Sequence, residues 1–273
     1  MCRPAATTLK RRVTDPALPL DEIPGDDTCF TRRSYAAMID TALAGGYRFI
    51  GYDDSRPARG DERLCILRHD IDVDPGAALE LAEIEADRRV RATYFVMTRS
   101  PVYNPFGRAN QDLLRRIAEL GHWIGLHYDL AFKPDDAAVE HWIATEAEIL
   151  ATMLGVEVRS VAFHQPGLAA EDPASVRPDG LISAFDFPDF TYISDANKTM
   201  RAGSFVRLFR EASIPRIQLC IHPLWWATDD PGATVEALWD QAVLANLQRS
   251  QDQILATERG FGPARTWSVT AER

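Results

Sequence analysis

This chain of 273 residues lacks an excess of positive charge: 30 lysines and arginines face 40 aspartates and glutamates, a net charge of -10. Binding nucleic acid through a basic face is argued against, because phosphate neutralisation needs clustered cations. Lys10-Arg11-Arg12 is too short to alter that and reads as a solvated tail. Cysteine is scarce, with Cys2, Cys29, Cys65 and Cys220 making no C-x-x-C pair. Cys65 and Cys220 sit inside apolar runs and read as reduced, strand-filling thiols. The first thirty residues hold no apolar stretch of the kind that opens a secretory signal, and no run approaches the ~20 apolar residues of a membrane span. A cytoplasmic location is expected. Repeats, low-complexity tracts and a dividing linker are also missing. The expected organisation is an irregular arm over residues 1–30 and a single domain over 31–273.

At 46% hydrophobic and 26% charged residues, the chain can bury a substantial core in the manner of globular proteins. Its apolar runs alternate with helical patterns. "SYAAMIDTALAGGYRFIGYDD" reads as a helix, a Gly45-Gly46 stop and a strand ending in Asp53-Asp54. "LCILRHD" is the next strand. Asp74-Pro75 opens a helix as N-cap and first-turn proline, with Leu79, Ala82 and Ala86 as its apolar stripe. "ATYFVM" is a strand, and residues 110–120 are a helix closed by Gly121. "HWIGLHYD" is a strand, and 134–154 a helix closed by Gly155. "VRSVAFH", "FTYISD" and "RIQLCIH" are strands, and 232–259 a last helix. Alternation of this kind predicts an α/β fold with a parallel sheet.

Chemistry-bearing residues gather where these strands end. "RHDIDVD" closes one strand with a histidine and three carboxylates. Like charges packed together raise one another's pKa and cost stability unless a positive partner is present. Strand alternation puts Asp70 and Asp72 on one face and His69 on the other. His127, His164, Asp195 and His222 fall at the ends of later strands, the edge at which β/α barrels carry their chemistry. A D-x-D pair there can aim two carboxylates at one point, one to hold a divalent ion and one to take a proton from water activated by it. His122 reads as supporting its strand and His141 as a surface residue. Tyr103, Asn104, Trp225 and Trp226 lie in loops after strands, where an aromatic ring can stack on a sugar or cap the barrel. Asp195, with Asn197 and Arg201, is expected to shape the pocket.

The order and spacing of these segments, from Leu64 to Pro223, resemble the polysaccharide deacetylase superfamily, also called the NodB-homology or carbohydrate esterase family 4 group. "RHDIDVD" resembles its first motif in a D-x-D branch. "ATYFVM" resembles the following strand, and "ELGHWIGLHYD" the motif "xxGHEIGxH". "FHQPG" stands in the place of the usually Arg-containing "RxPxG", and "IQLCIHP" resembles the last motif. The resemblance implies a distorted (β/α) barrel with fewer than eight strands and hydrolysis of an N-acetyl group from a sugar or glycan precursor. It makes Asp70 the catalytic base, Asp72 and His127 metal ligands, and His222 the acid that protonates the leaving amine. Two departures stand out. The second metal histidine falls at Ala131, which cannot ligate, and the arginine of the third motif is replaced by His164. The third ligand is then His164 or Asp129, around a divalent ion, most readily zinc. Tyr103, Asp195 and Trp225 are the expected substrate contacts. The other readings are hydrolysis of a different C–N bond, such as a cyclic amide, and a carbohydrate-binding protein that has lost turnover.

Overall fold

The computed structural model describes residues 29–54, 62–131, 138–168, 172–200 and 204–258. Residues 1–28 of the expected arm, Arg201, and the start of the helix expected from residue 134 lie outside them. The order is α1 (Arg32–Ala44), β1 (Tyr47–Ile50), β2 (Arg63–Ile71), α2 (Pro75–Asp87), β3 (Thr93–Val96), α3 (Arg108–Glu119) and β4 (Trp123–Asp129). Then come α4 (Val139–Leu154), β5 (Val158–His164), β6 (Ile182–Ser183), β7 (Thr191–Ser194), α5 (Phe205–Glu211), β8 (Arg216–Ile221) and α6 (Val235–Thr257). Every pairing is parallel. Seven strands follow one path, β6-β5-β4-β3-β2-β8-β7, and β1 pairs off it with the first half of β2. The sheet curls into a half-barrel flanked by helices, a distorted barrel of the kind expected.

Two layers of side chains follow from the period of two along each strand. On β2, Cys65, Leu67 and Ile71 point outward and join Tyr94, Val96, Leu126, Val161, Phe163 and Leu219 beneath the helices. Leu64 and Ile66 point inward to Ile50, Tyr52, Phe95, Ala162 and Ala184. The same parity sends Arg68 and Asp70 inward and His69 outward. On β4, Gly125 lies inward too. A Cβ there would come 2.5 Å from Phe95 Cδ1 and Cε1 and 3.0 Å from Ser160 Oγ, so the Phe95 ring occupies space that only glycine leaves.

Local signals read from the sequence hold at several ends. Asp74 caps α2 by accepting the Gly76 N–H at 2.9 Å, with Pro75 in the first turn. Gly155 ends α4 in the left-handed region at φ 70°. Other expectations need correction. The strand before Asp53-Asp54 stops at Ile50, and Tyr52–Asp54 forms a 3-10 turn. The buried stripe of α2 is Ala78, Leu81, Ala82 and Glu85 rather than Leu79, Ala82 and Ala86. A glutamate belongs to it because Glu85 meets an outward polar cluster: His69 Nε2 lies 2.6 Å away, and the Tyr94 hydroxyl donates at 3.0 Å. The Tyr35 hydroxyl also donates to Glu85. Periodicity alone cannot identify such distant partners.

Candidate functional site

The strand ends converge as the alternation implied. Asp70 Oδ, Cys220 Sγ and a ring nitrogen of His222 lie within 4.8 Å of one another. Asp72 Oδ, His127 and His164 form a second group within the same limit. Asp72 Oδ1 is 3.1 Å from His127 Nε2 and 3.4 Å from His164 Nδ1. Asp70 Oδ2 is 3.8 Å from His127 Nε2, and Asp72 Oδ2 is 3.8 Å from His222 Nε2. Asp70, Asp72 and His222 line a small cleft together with Ile71, Val73, Asp74, Pro223, Leu224 and Trp225.

Residues beneath this surface fix its protons. His127 Nδ1 lies 3.2 Å from the Ala162 carbonyl, which can only accept, so that nitrogen carries a hydrogen and Nε2 is the ring atom left facing Asp72. Asp72 Oδ1 is buried and receives no hydrogen bond. Two acceptors 3.1 Å apart need a proton or a cation between them. An Asp/His/His set of N and O donors, one imidazole oriented by a backbone carbonyl, fits a first-row divalent ion.

His222 is set differently. Its Nδ1 lies 2.6 Å from Asp195 Oδ1, its backbone N–H donates to the same carboxylate at 3.0 Å, and Nε2 faces the cleft. Burial opposes charge on the ring, but the adjacent Asp195 carboxylate outweighs it, and the His222 pKa is pushed up to about 9. Asp195 also accepts from Trp226 Nε1 at 2.7 Å and is wholly buried. The sequence reading made Asp195 a substrate contact; the structure buries it beneath His222.

Asp70 is held from below. Arg68 Nη2 donates to Asp70 Oδ2 at 2.7 Å, both side chains being 5% exposed. The Cys220 thiol donates to the same oxygen at 3.4 Å. Burial pushes the Asp70 carboxyl up, yet Arg68, then His127 and His222, hold it below its usual value. Asp70 Oδ1 has no partner. With Arg68 already neutralising Asp70, the Asp70–Cys220–His222 group does not fit a second cation. Arg68 went unnoticed in the sequence, although its parity with Asp70 on one strand was a usable signal.

Of the two candidates for a third ligand, His164 joins Asp72 and His127. Asp129 instead accepts the Ala131 N–H at 3.0 Å and caps a turn. His69 belongs to the outward cluster with Glu85. His122 is buried, accepting the Ala92 N–H at 3.2 Å through Nδ1 and contacting the Ala82 carbonyl through Nε2. His141 is exposed in the first turn of α4. Trp225 lines the cleft. Tyr103 does not: it is 4% exposed, its hydroxyl donating to the Ile71 carbonyl at 2.8 Å and accepting the Met97 N–H at 3.0 Å. No ring face is left for a sugar.

No family model matches the chain, and no curated protein matches it. Solved structures similar to it include a family 4 carbohydrate esterase from Bacillus anthracis, 16% identical, covering 78% of this chain and 86% of that one, with a TM-score of 0.35. The polysaccharide deacetylase Bc1974 from Bacillus cereus is 16% identical over 70% of this chain and 89% of its own, with a TM-score of 0.42. A third, BA3943 from Bacillus anthracis, is described as a CE4 family pseudoenzyme; it is 14% identical over 72% and 66%, with a TM-score of 0.39. Overlap this shallow assigns neither ligands nor activity to this chain.

Proposed function

We propose that the chain is a metal-dependent hydrolase that removes an N-acetyl group from a sugar or glycan precursor, with zinc the best-suited ion. The observation that carries this reading is the pairing of a close Asp72–His127–His164 cluster with an unpartnered carboxylate oxygen on Asp70 and a raised-pKa imidazole on His222. A divalent ion held by Asp72, His127 and His164 supplies, when bound, Lewis acidity toward the attacking water and the amide carbonyl.

The remaining roles belong to the protein. Asp70 Oδ1 accepts the proton of the attacking water, while Arg68 keeps that carboxylate ionised. His222 Nε2 delivers a proton to the amide nitrogen as the C–N bond breaks, releasing acetate and a free amine. Asp195 holds the imidazole in the orientation that aims Nε2 at the cleft. Base and acid have opposite requirements, an ionised carboxylate and a protonated imidazole. Both are met near neutrality when one pKa is lowered and the other lies near 9. Trp225, on the cleft wall, meets the sugar.

Metal analysis of the purified protein, followed by acetate release from a panel of N-acetylated sugars and oligosaccharides, tests this reading. One equivalent of divalent metal is expected, lost in His127→Ala, with acetate released from at least one compound. Protein that binds no metal after zinc loading at neutral pH overturns it.

A further inference from the structure

Asp72 differs from the other candidate ligands in how its backbone is held. His127 lies within β4, and His164 is the last residue of β5. Asp70 lies within β2, paired with Phe95 of β3. Asp72 follows the end of β2 at Ile71, beyond the ladder, so sheet hydrogen bonds do not fix it. A ligand on an unheld turn would lose conformational freedom on binding an ion and weaken the site.

Side chains from two distant segments supply what the ladder does not. The Tyr103 hydroxyl donates to the Ile71 carbonyl at 2.8 Å. Ser100 Oγ donates to the Asp72 carbonyl at 3.3 Å and accepts the Val102 and Tyr103 N–H groups at 3.1 and 3.2 Å. Asn246 Nδ2, from the middle of α6, donates to the Val73 carbonyl at 2.9 Å. Three successive carbonyls spanning Asp72 are each bound by a different side chain. Tyr103 and Asn246 are buried, at 4% and 5% exposure. Arg249, one turn beyond Asn246, donates to Asn246 Oδ1 at 2.8 Å and to the Asp74 carboxylate, tying in the residue that caps α2.

We infer that Tyr103, Ser100 and Asn246 are positioning residues that preset the Ile71–Val73 turn and thereby aim Asp72 at the ion. This inference rests on the metal reading proposed above. Removing partners outside the coordinating set of a metal site commonly costs 10–100-fold in affinity. Tyr103→Phe and Asn246→Leu each remove one of these bonds without touching a ligand.

The test is Co²⁺ titration of the metal-free full chain, followed by the visible d–d bands, together with amide hydrogen exchange across residues 71–74. Tyr103→Phe and Asn246→Leu should each weaken Co²⁺ binding by about tenfold or more, alter the band intensities, and speed exchange in the turn without metal. Ser100→Ala should act in the same direction, and Ser100→Thr, which keeps the hydroxyl, should restore wild-type binding. Glu85→Gln separates positioning from general destabilisation: it lowers the melting temperature through the outward cluster and should leave Co²⁺ affinity unchanged. Wild-type affinity, bands and exchange in Tyr103→Phe and Asn246→Leu overturn this inference alone. A wild-type chain that takes up no Co²⁺ overturns the metal reading and this inference with it.

Discussion

The support of His222 by Asp195 can be tested without knowing the substrate. The imidazole is 18% exposed and the carboxylate 0%. Exchanging Asp195 for Asn keeps the shape and removes the charge. Burial, the largest influence on the ring and one that opposes its protonation, is then unopposed by its nearest anion. The His222 pKa should fall from about 9, with Asp72 and Asp70 still favouring the charged ring. The full rise from 6.5 to about 9 is roughly 300-fold in proton affinity, on the order of 3 kcal/mol, and Asp195 is its largest favourable cause. Because the folded value lies above the unfolded one, the pair contributes its full stability below about pH 6.5 and loses it as pH rises through about 9. Wild-type and variant stability should therefore differ most in mildly acid solution and converge in alkali.

The assay is histidine-ring NMR of the metal-free protein, titrated up to about pH 10, with His222 identified among six histidines by its loss in His222→Ala. In the wild type, His222 should titrate near pH 9; in Asp195→Asn it should titrate at a clearly lower pH. Wild-type His222 titrating at the ordinary 6.5, or an Asp195→Asn variant with an unmoved His222, would refute the reasoning.

Arg68→Met should strip the buried Asp70 carboxylate of its nearest cation and cost about 3–5 kcal/mol of stability at neutral pH, less in acid where Asp70 can protonate. Chemical denaturation across pH measures it, and a loss under about 1 kcal/mol at pH 7 would show that Asp70 does not depend on Arg68. Gly125→Ala drives a methyl to within 2.5 Å of Phe95 and, through that ring, toward Arg68, whose guanidinium lies 5.4 Å from its centre. Overpacking of this kind costs about 1–3 kcal/mol, and a wild-type melting curve would mean that the Phe95 ring has room to move.

Local pattern made some of this legible. Asp70 and Asp72 share a parity, and His127, His164 and His222 each close an apolar run, so a convergent edge could be read from strand alternation and parallel topology. The N-cap at Asp74 and the stop at Gly155 were legible for the same reason: each depends on residues adjacent in sequence. Tyr103 and Asp195 were misplaced because their partners are distant. An aromatic ring in a loop after a strand looks like a sugar platform until the Ile71 and Met97 backbone groups close around its hydroxyl. An aspartate at a strand end looks like a pocket wall until β7 pairs with β8 and puts it beneath His222.

The unread part of the site shares one property: it lies one step behind the residues that face the cleft. Asp195, Ser100 and Asn246 make no period, because each answers a polar atom far away along the chain, whereas Arg68 shares the strand and parity of Asp70. β2 sits between β3 and β8, with His69 level with Ile221, so the next residues inward, Asp70 and His222, meet across strands far apart in sequence. Their charges then need counterparts in a low-dielectric interior, where an unpaired carboxylate or imidazolium is costly. Arg68 answers one from its own strand, and Asp195 answers the other from the neighbouring strand. Once Asp70 and His222 are accepted as buried neighbours, physical chemistry requires an inward cation near the first and an anion near the second. The sequence holds Arg68 two residues before Asp70 and Asp195 at the end of the strand preceding β8. The supports were thus inferable in kind from the site itself; strand parity alone points to Arg68, but the identity of Asp195 depended on a strand order that hydrophobic periodicity does not carry.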